Sequence, residues 1–147
     1  MSIRTATEAD VSQIARLVSS LAHYYLDGPT HELPQWFALT LTESAFSARI
    51  SNSAFLNLVF EDFEGISGYL SLKDGSHLYH LFVAATAQRK GIAGCLWKAA
   101  KERSDSRIYT LRSSIFAVPF YRHFGFVESE PAGDKDGIAF QPMELRE

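Results

Sequence analysis

Apolar residues at Val11, Ile14, Ala15, Leu17, Val18, Leu21 and Ala22 recur every three or four positions, with polar residues between them. That spacing lays a single apolar stripe along a helix and predicts one over Glu8–Tyr25. Thr7-Glu8-Ala9-Asp10 just ahead of the stripe has the form of a capping box, and a short strand is expected around Ile3–Arg4. The following "LDGPTHELPQW" carries Gly28-Pro29 and Pro34 and reads as a loop. A second helix is expected over Thr42–Ser51, with Thr42 as its cap. From Ala54 the period changes. "AFLNLVFED", "GISGYLSLKD" and "SHLYHLFVA" are three strand-like runs separated by "FEG" and "DGS", which together predict an antiparallel meander. The third run leads through "TAQRKGIAG" into a helix with Leu96, Ala99 and Ala100 facing inward. "RIYTLRSS" follows as a strand, "AVPFYRHFG" as a short helix stopped at Gly125, and "FVESE" and "IAFQPMELR" as two strands split by a "PAGDKDG" turn. The order β-α-α-β-β-β-α-β-α-β-β describes an α+β fold, a mixed, mostly antiparallel sheet with one βαβ crossover and flanking helices.

Composition narrows the class. The 147 residues suit a single domain spanning 1–147, and 46% hydrophobic with 21% charged residues is ordinary for a globular chain. A formal net charge of −3 argues against a general nucleic-acid partner and suits a neutral or cationic small one. The single cysteine, Cys95, excludes an intramolecular disulfide, fits a reducing compartment, and reads as a small hydrophobe among helix-core residues. No apolar run approaches ~20 residues, and "MSIRTATEAD" lacks the apolar centre of a secretory leader. The expectation is a cytoplasmic protein without a membrane partner.

The segment that asks for a ligand is "AQRKGIAGCLW", Ala87–Trp97. A helix opening directly after a strand offers unpaired backbone N–H groups and the positive end of its dipole, a natural seat for a pyrophosphate. Arg89 and Lys90 add charge, and Gly91, Ala93 and Gly94 keep the backbone approachable. The plainer reading is a tight βα turn whose glycine relieves a steric problem. A P-loop is excluded because no Gly-Lys-Ser or Gly-Lys-Thr occurs, and a dinucleotide fingerprint because G-x-x-G replaces G-x-G-x-x-G after a meander.

Gln88-Arg89-Lys90-Gly91-Ile92-Ala93 resembles the [QR]-x-x-G-x-[GA] turn of the GNAT superfamily of acyl-CoA-dependent N-acyltransferases. "LYHLFV" is similar to that family's fourth strand, and "FYRHFGF" to its late helix with a Y-x-x-x-G-F ending. The element order agrees over essentially the whole chain. The resemblance implies acetyl-CoA or another acyl-CoA as cosubstrate. The turn Gln88–Gly94 would then hold the pyrophosphate through the amides of Arg89, Gly91, Ala93 and Gly94. Leu81 and Val83 would present backbone groups to the pantetheine arm, and Ser113 and Ser114 stand where many relatives carry an asparagine. Tyr121 occupies the position of the general acid toward the thiolate; without the resemblance it reads as a packed aromatic in a Phe-rich helix. His77 lies six residues before Val83, where some relatives place a base.

Unbroken alternation along the strand would put His77, Tyr79, Leu81 and Val83 on one face and Leu78, His80 and Phe82 on the other. On that reading His77, with an unperturbed pKa near ~6.5, and Tyr79 look toward the acceptor, while His80 is structural. No metal is expected, since His77 and His80 point apart and no H-x-H or C-x-x-C spacing occurs.

In the resembled fold the segment between the first two helices walls the acceptor site. Here it carries Tyr24, Tyr25 and Trp36, flat walls or a cage for a cation, with Asp27, Glu32 and Glu43 as acids for an ammonium group. The same aromatics also suit a staple holding a long loop. The implied activity is direct acetyl transfer from acetyl-CoA to a primary amine of a small molecule or peptide. The competing class is a non-catalytic acyl-CoA-binding or sensing module of the same fold. The aromatic surface of "IAFQPMEL" could also serve a homodimer.

Overall fold

The computed structural model describes residues 2–21, 38–135 and 138–147. Its elements are β1 (Ser2–Thr5), α1 (Val11–Leu21), α2 (Glu43–Ile50), β2 (Phe55–Asp62), β3 (Gly65–Lys73), β4 (His77–Val83), α3 (Ile92–Glu102), β5 (Ile108–Ser114), α4 (Val118–His123), β6 (Val127–Glu128), β7 (Gly133–Lys135) and β8 (Ile138–Arg146). The expected order holds with one addition, because Gly133–Lys135 forms a short strand on β8 in place of the expected turn. The first helix opens as a 3-10 turn over Glu8–Asp10 rather than as α-helix. There the Thr7 amide donates to Asp10 Oδ2 at 2.8 Å, and Arg4 grips the same carboxylate at 2.8 and 2.9 Å. Those bonds, the Arg4 pair foremost, hold the Asp10 carboxyl below its usual range. The expected helix end near Tyr25, the loop after it, and Tyr24, Tyr25 and Trp36 lie outside the described residues. Thr42 caps α2 as expected, its hydroxyl oxygen accepting from the Ala45 amide at 3.1 Å.

The sheet runs β1-β2-β3-β4-β5-β8-β6, with β7 on β8. Its pairs are antiparallel except β4–β5, which is parallel and joined through α3. One face is covered by α1 and α2, whose Ile14, Val18 and Phe46 pack on Val59, Tyr69 and Phe82. On the other face Leu96, Trp97 and Ala100 of α3 pack with Leu58, Leu70, Leu111 and Met143. The helix seats closely because β3 carries Gly68 beneath it. A Cβ there would stand 2.9 Å from Leu96 Cδ1 and 3.0 Å from Ile92 Cγ2.

Two irregularities of β4 shape the centre of the sheet. Ser71 pairs with His80 but Leu72 with Leu78, so Tyr79 is an extra residue on the β4 side, a bulge. The bulge overturns the expected alternation. Leu78 joins the α3-side core together with Leu81 and Val83, while His80 and Phe82 lie on the α1 and α2 side. His77, one residue before Leu78, therefore shares the side of His80. The second irregularity is that β4 and β5 pair only at His77↔Thr110 and Leu78↔Leu111. Beyond those rungs the strands part.

Candidate active site

A cavity of about 800 Å³ occupies the gap where β4 and β5 separate. Leu81, Val83, Ile92, Tyr121 and Phe124 line it from the α3 and α4 side; Leu21, Tyr79, Phe82 and Arg112 line it from the other. The cavity thus has walls from both sides of the sheet.

At its α3 end the chain turns tightly. Arg89 and Gly91 both have left-handed backbone conformations, φ +69° and +78°. No atom lies within 4 Å of a Cβ built on Gly91, so the glycine serves the backbone angle rather than a lack of room. Gly91 is the N-cap of α3 and supplies no side-chain acceptor. The amides of Ile92, Ala93 and Gly94 therefore have no partner within the helix, and these residues line the cavity with Gln88, Arg89 and Gly91. Lys90 is exposed and lies outside the lining. Gln88 Nε2 donates to the Val83 carbonyl at 3.2 Å, tying the turn to the end of β4. Ser114 lines the opposite wall; its Oγ accepts from the Ala117 amide at 3.3 Å and retains a hydrogen to donate. Ser113 is buried and donates to the Ser114 carbonyl at 2.6 Å.

Tyr121 stands in the wall against Phe120 and Phe126, and its hydroxyl has no hydrogen-bond partner among the described residues. Burial holds its phenol protonated well above the ordinary range. His77 lies just past the closed end of the cavity. Its rung neighbours Leu78 and Leu111 line the cavity, and His77 itself does not. His77 Nδ1 is 2.8 Å from Thr110 Oγ1. Burial first, then Arg112 and Lys73, push the imidazole below its usual value of 6.5 and favour the neutral ring. Tyr79 packs on Phe55 and on His80. His80 is fully enclosed, and burial, then Arg49, take it down to about 3, so it is a neutral core residue.

Cys95, expected in the helix core, is exposed; the buried face of α3 is Ile92, Leu96, Trp97 and Ala100. Arg112 is a site residue that the sequence reading misses, although the alternation Thr110, Arg112 against Tyr109, Leu111 on β5 carries the signal. Among the described residues no group of three or more His, Cys, Asp or Glu side chains is placed to hold a metal ion, and no helix is long and apolar enough to cross a membrane.

The site thus combines a bulged strand, a parted parallel pair and an uncapped helix start after it. A family model described as an acetyltransferase (GNAT) domain matches residues 25–147, and the chain belongs to that family. Solved structures agree on the fold. A GCN5-related N-acetyltransferase from Rhodopseudomonas palustris is 22% identical, with 99% of this chain and 94% of that one covered and a TM-score of 0.78. The PaiA N-acetyltransferase of Thermoplasma acidophilum, in complex with coenzyme A, is 20% identical over 99% and 98%, with a TM-score of 0.76. A spermidine N-acetyltransferase SpeG mutant from Vibrio cholerae is 19% identical over 99% and 95%, with a TM-score of 0.69. No curated protein sequence matches the chain.

Proposed function

We propose that this acetyltransferase moves an acetyl group directly from acetyl-CoA to a primary amine of a small molecule or peptide. The observation that carries the reading is one cavity lined from both sides of the sheet, which holds the first residues of α3 and Tyr121 in its wall. Those amides and the positive end of the helix dipole suit a pyrophosphate. The backbone of Leu81 and Val83, beyond the last rung to β5, faces the path an amide-bearing arm would take, and Ser114 offers one further donor.

In the reaction a new C–N bond forms as the amine attacks the thioester carbonyl, and the C–S bond then breaks. Tyr121 gives its proton to the departing thiolate. A phenol kept neutral by burial is fitted to that step, a contribution of roughly 100- to 10,000-fold for a positioned acid or base. Holding both reactants in one cavity supplies much of the remaining acceleration. His77, neutral and beyond the lining, receives the amine's proton through a water rather than by contact. For that role Nδ1 carries its hydrogen toward Thr110, leaving the Nε2 lone pair free.

Calorimetric titration with acetyl-CoA and with CoA tests the reading. Micromolar binding with thiol release in the presence of amines supports it. Binding without transfer to any amine would favour a sensing module of the same fold, and no binding would remove the cosubstrate altogether.

A further inference from the structure

The face of the sheet that meets the acceptor end of the cavity is cationic, although the chain as a whole is net negative. Lys73 and His77 are register partners on β3 and β4, and Phe55 is partner to Lys73 on β2. Thr110 is the rung partner of His77, and Arg112, two residues on, projects to the same side. Arg49 reaches the patch from α2, its guanidinium 5.3 Å from the Tyr79 ring centre.

None of the three cations has a carboxylate partner among the described residues. Lys73 is held over Phe55 at 5.9 Å and Arg112 over Phe140 at 5.1 Å. Arg49 is 8% exposed, yet among the described residues it meets neutral groups: it donates to the Thr40 carbonyl at 2.7 Å and lies beside the Tyr69 hydroxyl, and its Nε has no partner among them. The carboxylate nearest in register, Glu144 opposite Thr110, is taken up by Arg146. Burying a guanidinium without an anion is costly, and an anion arriving from outside would offset that cost. Arg112 and Tyr79 also line the cavity, so the patch opens onto the point of transfer.

We infer that the acceptor amine carries an anionic group, a carboxylate or a phosphate, which Arg112 and Lys73 receive and Arg49 backs. This rests on the acetyltransfer reading and adds the substrate class to it. The same cations disfavour an ammonium ion beside them, so they help present the acceptor nitrogen as the neutral nucleophile. A polyamine, with only positive charge, is repelled by these three cations.

The test is a thiol-release assay on matched acceptors: L-amino acids against their amides, phosphoethanolamine against ethanolamine, and spermidine as the cationic case. The acids are expected to exceed their uncharged partners at least tenfold in kcat/KM, with the carboxylate and phosphate arms separating the two sources of charge. In Lys73→Gln and Arg112→Gln, both at exposed positions, that ratio falls toward one through a raised KM for the acid. It also shrinks as salt is raised, because exposed charges are screened. Arg49→Lys retains the charge should a neutral replacement of this buried residue fail to fold. Equal use of acids and amides, or a preference for spermidine, overturns the inference. Should no acceptor turn over, the same acids and amides are titrated into the acetyl-CoA complex, and equal affinities overturn it too. Failure of acetyl-CoA itself to bind is read separately by calorimetry and strikes the underlying reading instead.

Discussion

His77 Nδ1 stands 2.8 Å from Thr110 Oγ1 on the first of two rungs that join β4 to β5. The contact orients the ring at the closed end of the cavity, and with the Thr110 hydroxyl accepting, Nδ1 carries the hydrogen. Thr110→Val removes the hydroxyl at little change in shape and should lower kcat about tenfold, while the affinity for acetyl-CoA in a calorimetric titration stays the same. The sign of the pH dependence follows from the depressed His77 pKa. The base is neutral above that value and is lost as pH falls through it, so the acidic limb of kcat/KM should lie below pH ~6.5. His77→Asn should abolish that limb; a wild-type profile in this variant would leave the histidine no part in proton transfer.

Tyr121→Phe removes one oxygen from an otherwise retained aromatic wall. The expected outcome is a fall in kcat of about 100-fold or more with the KM for acetyl-CoA held near wild type. Because burial raises the phenol pKa, the wild-type enzyme should show no alkaline limb from Tyr121 near its ordinary value of 10.0. Steady-state kinetics extended to high pH check both points, and an undiminished kcat would return Tyr121 to packing alone.

Gly91→Val probes the turn. Space is available for the side chain, so the effect arises from the left-handed backbone angle, which costs a non-glycine residue about 1–2 kcal/mol. The turn would relax toward an ordinary conformation and withdraw its amides from the cavity. A rise of roughly tenfold in the dissociation constant for acetyl-CoA is expected by calorimetry, with a loss of stability no larger than the same ~1–2 kcal/mol, since no clash adds to it.

How far the sequence anticipates this molecule can be judged on β4. The meander, the crossover through α3 and the Thr42 cap all follow from patterns that neighbouring residues complete among themselves. The bulge at Tyr79 does not, because alternation assumes one residue opposite one, and the extra residue is defined only by its partner strand. Strict alternation puts Leu78 and His80 on one face for that reason. Cys95 is misplaced by the sequence pattern because a helix of small residues leaves its inward stripe ambiguous, and Trp97 settles it by packing on Tyr109 and Phe126. Tyr121 and the glycine turn are legible through the family pattern. Arg49 and Lys73 are not, since only the tertiary fold brings α2 and β3 to the same patch.

His80 gives a stability prediction independent of catalysis. Its pKa is about 3 in the fold against 6.5 for the free side chain, with burial the leading cause. The unfolded chain thus binds a proton through a window in which the folded chain does not. Stability is full above pH ~6.5, declines as pH falls by up to about 1.4 kcal/mol per unit, and has lost this contribution below about 3. Denaturant unfolding at several pH values should show a shallower acid decline for His80→Gln than for wild type.

The two rungs between β4 and β5 have a mechanical meaning as well. They divide the sheet into a β1–β4 part under α1 and α2 and a β5–β8 part beside α4, with α3 the covalent strap between them. A molecule lying in the gap completes a ladder that the chain leaves unfinished. Whatever fills the cleft would brace the two parts along a second line, beside the α3 core that already joins them.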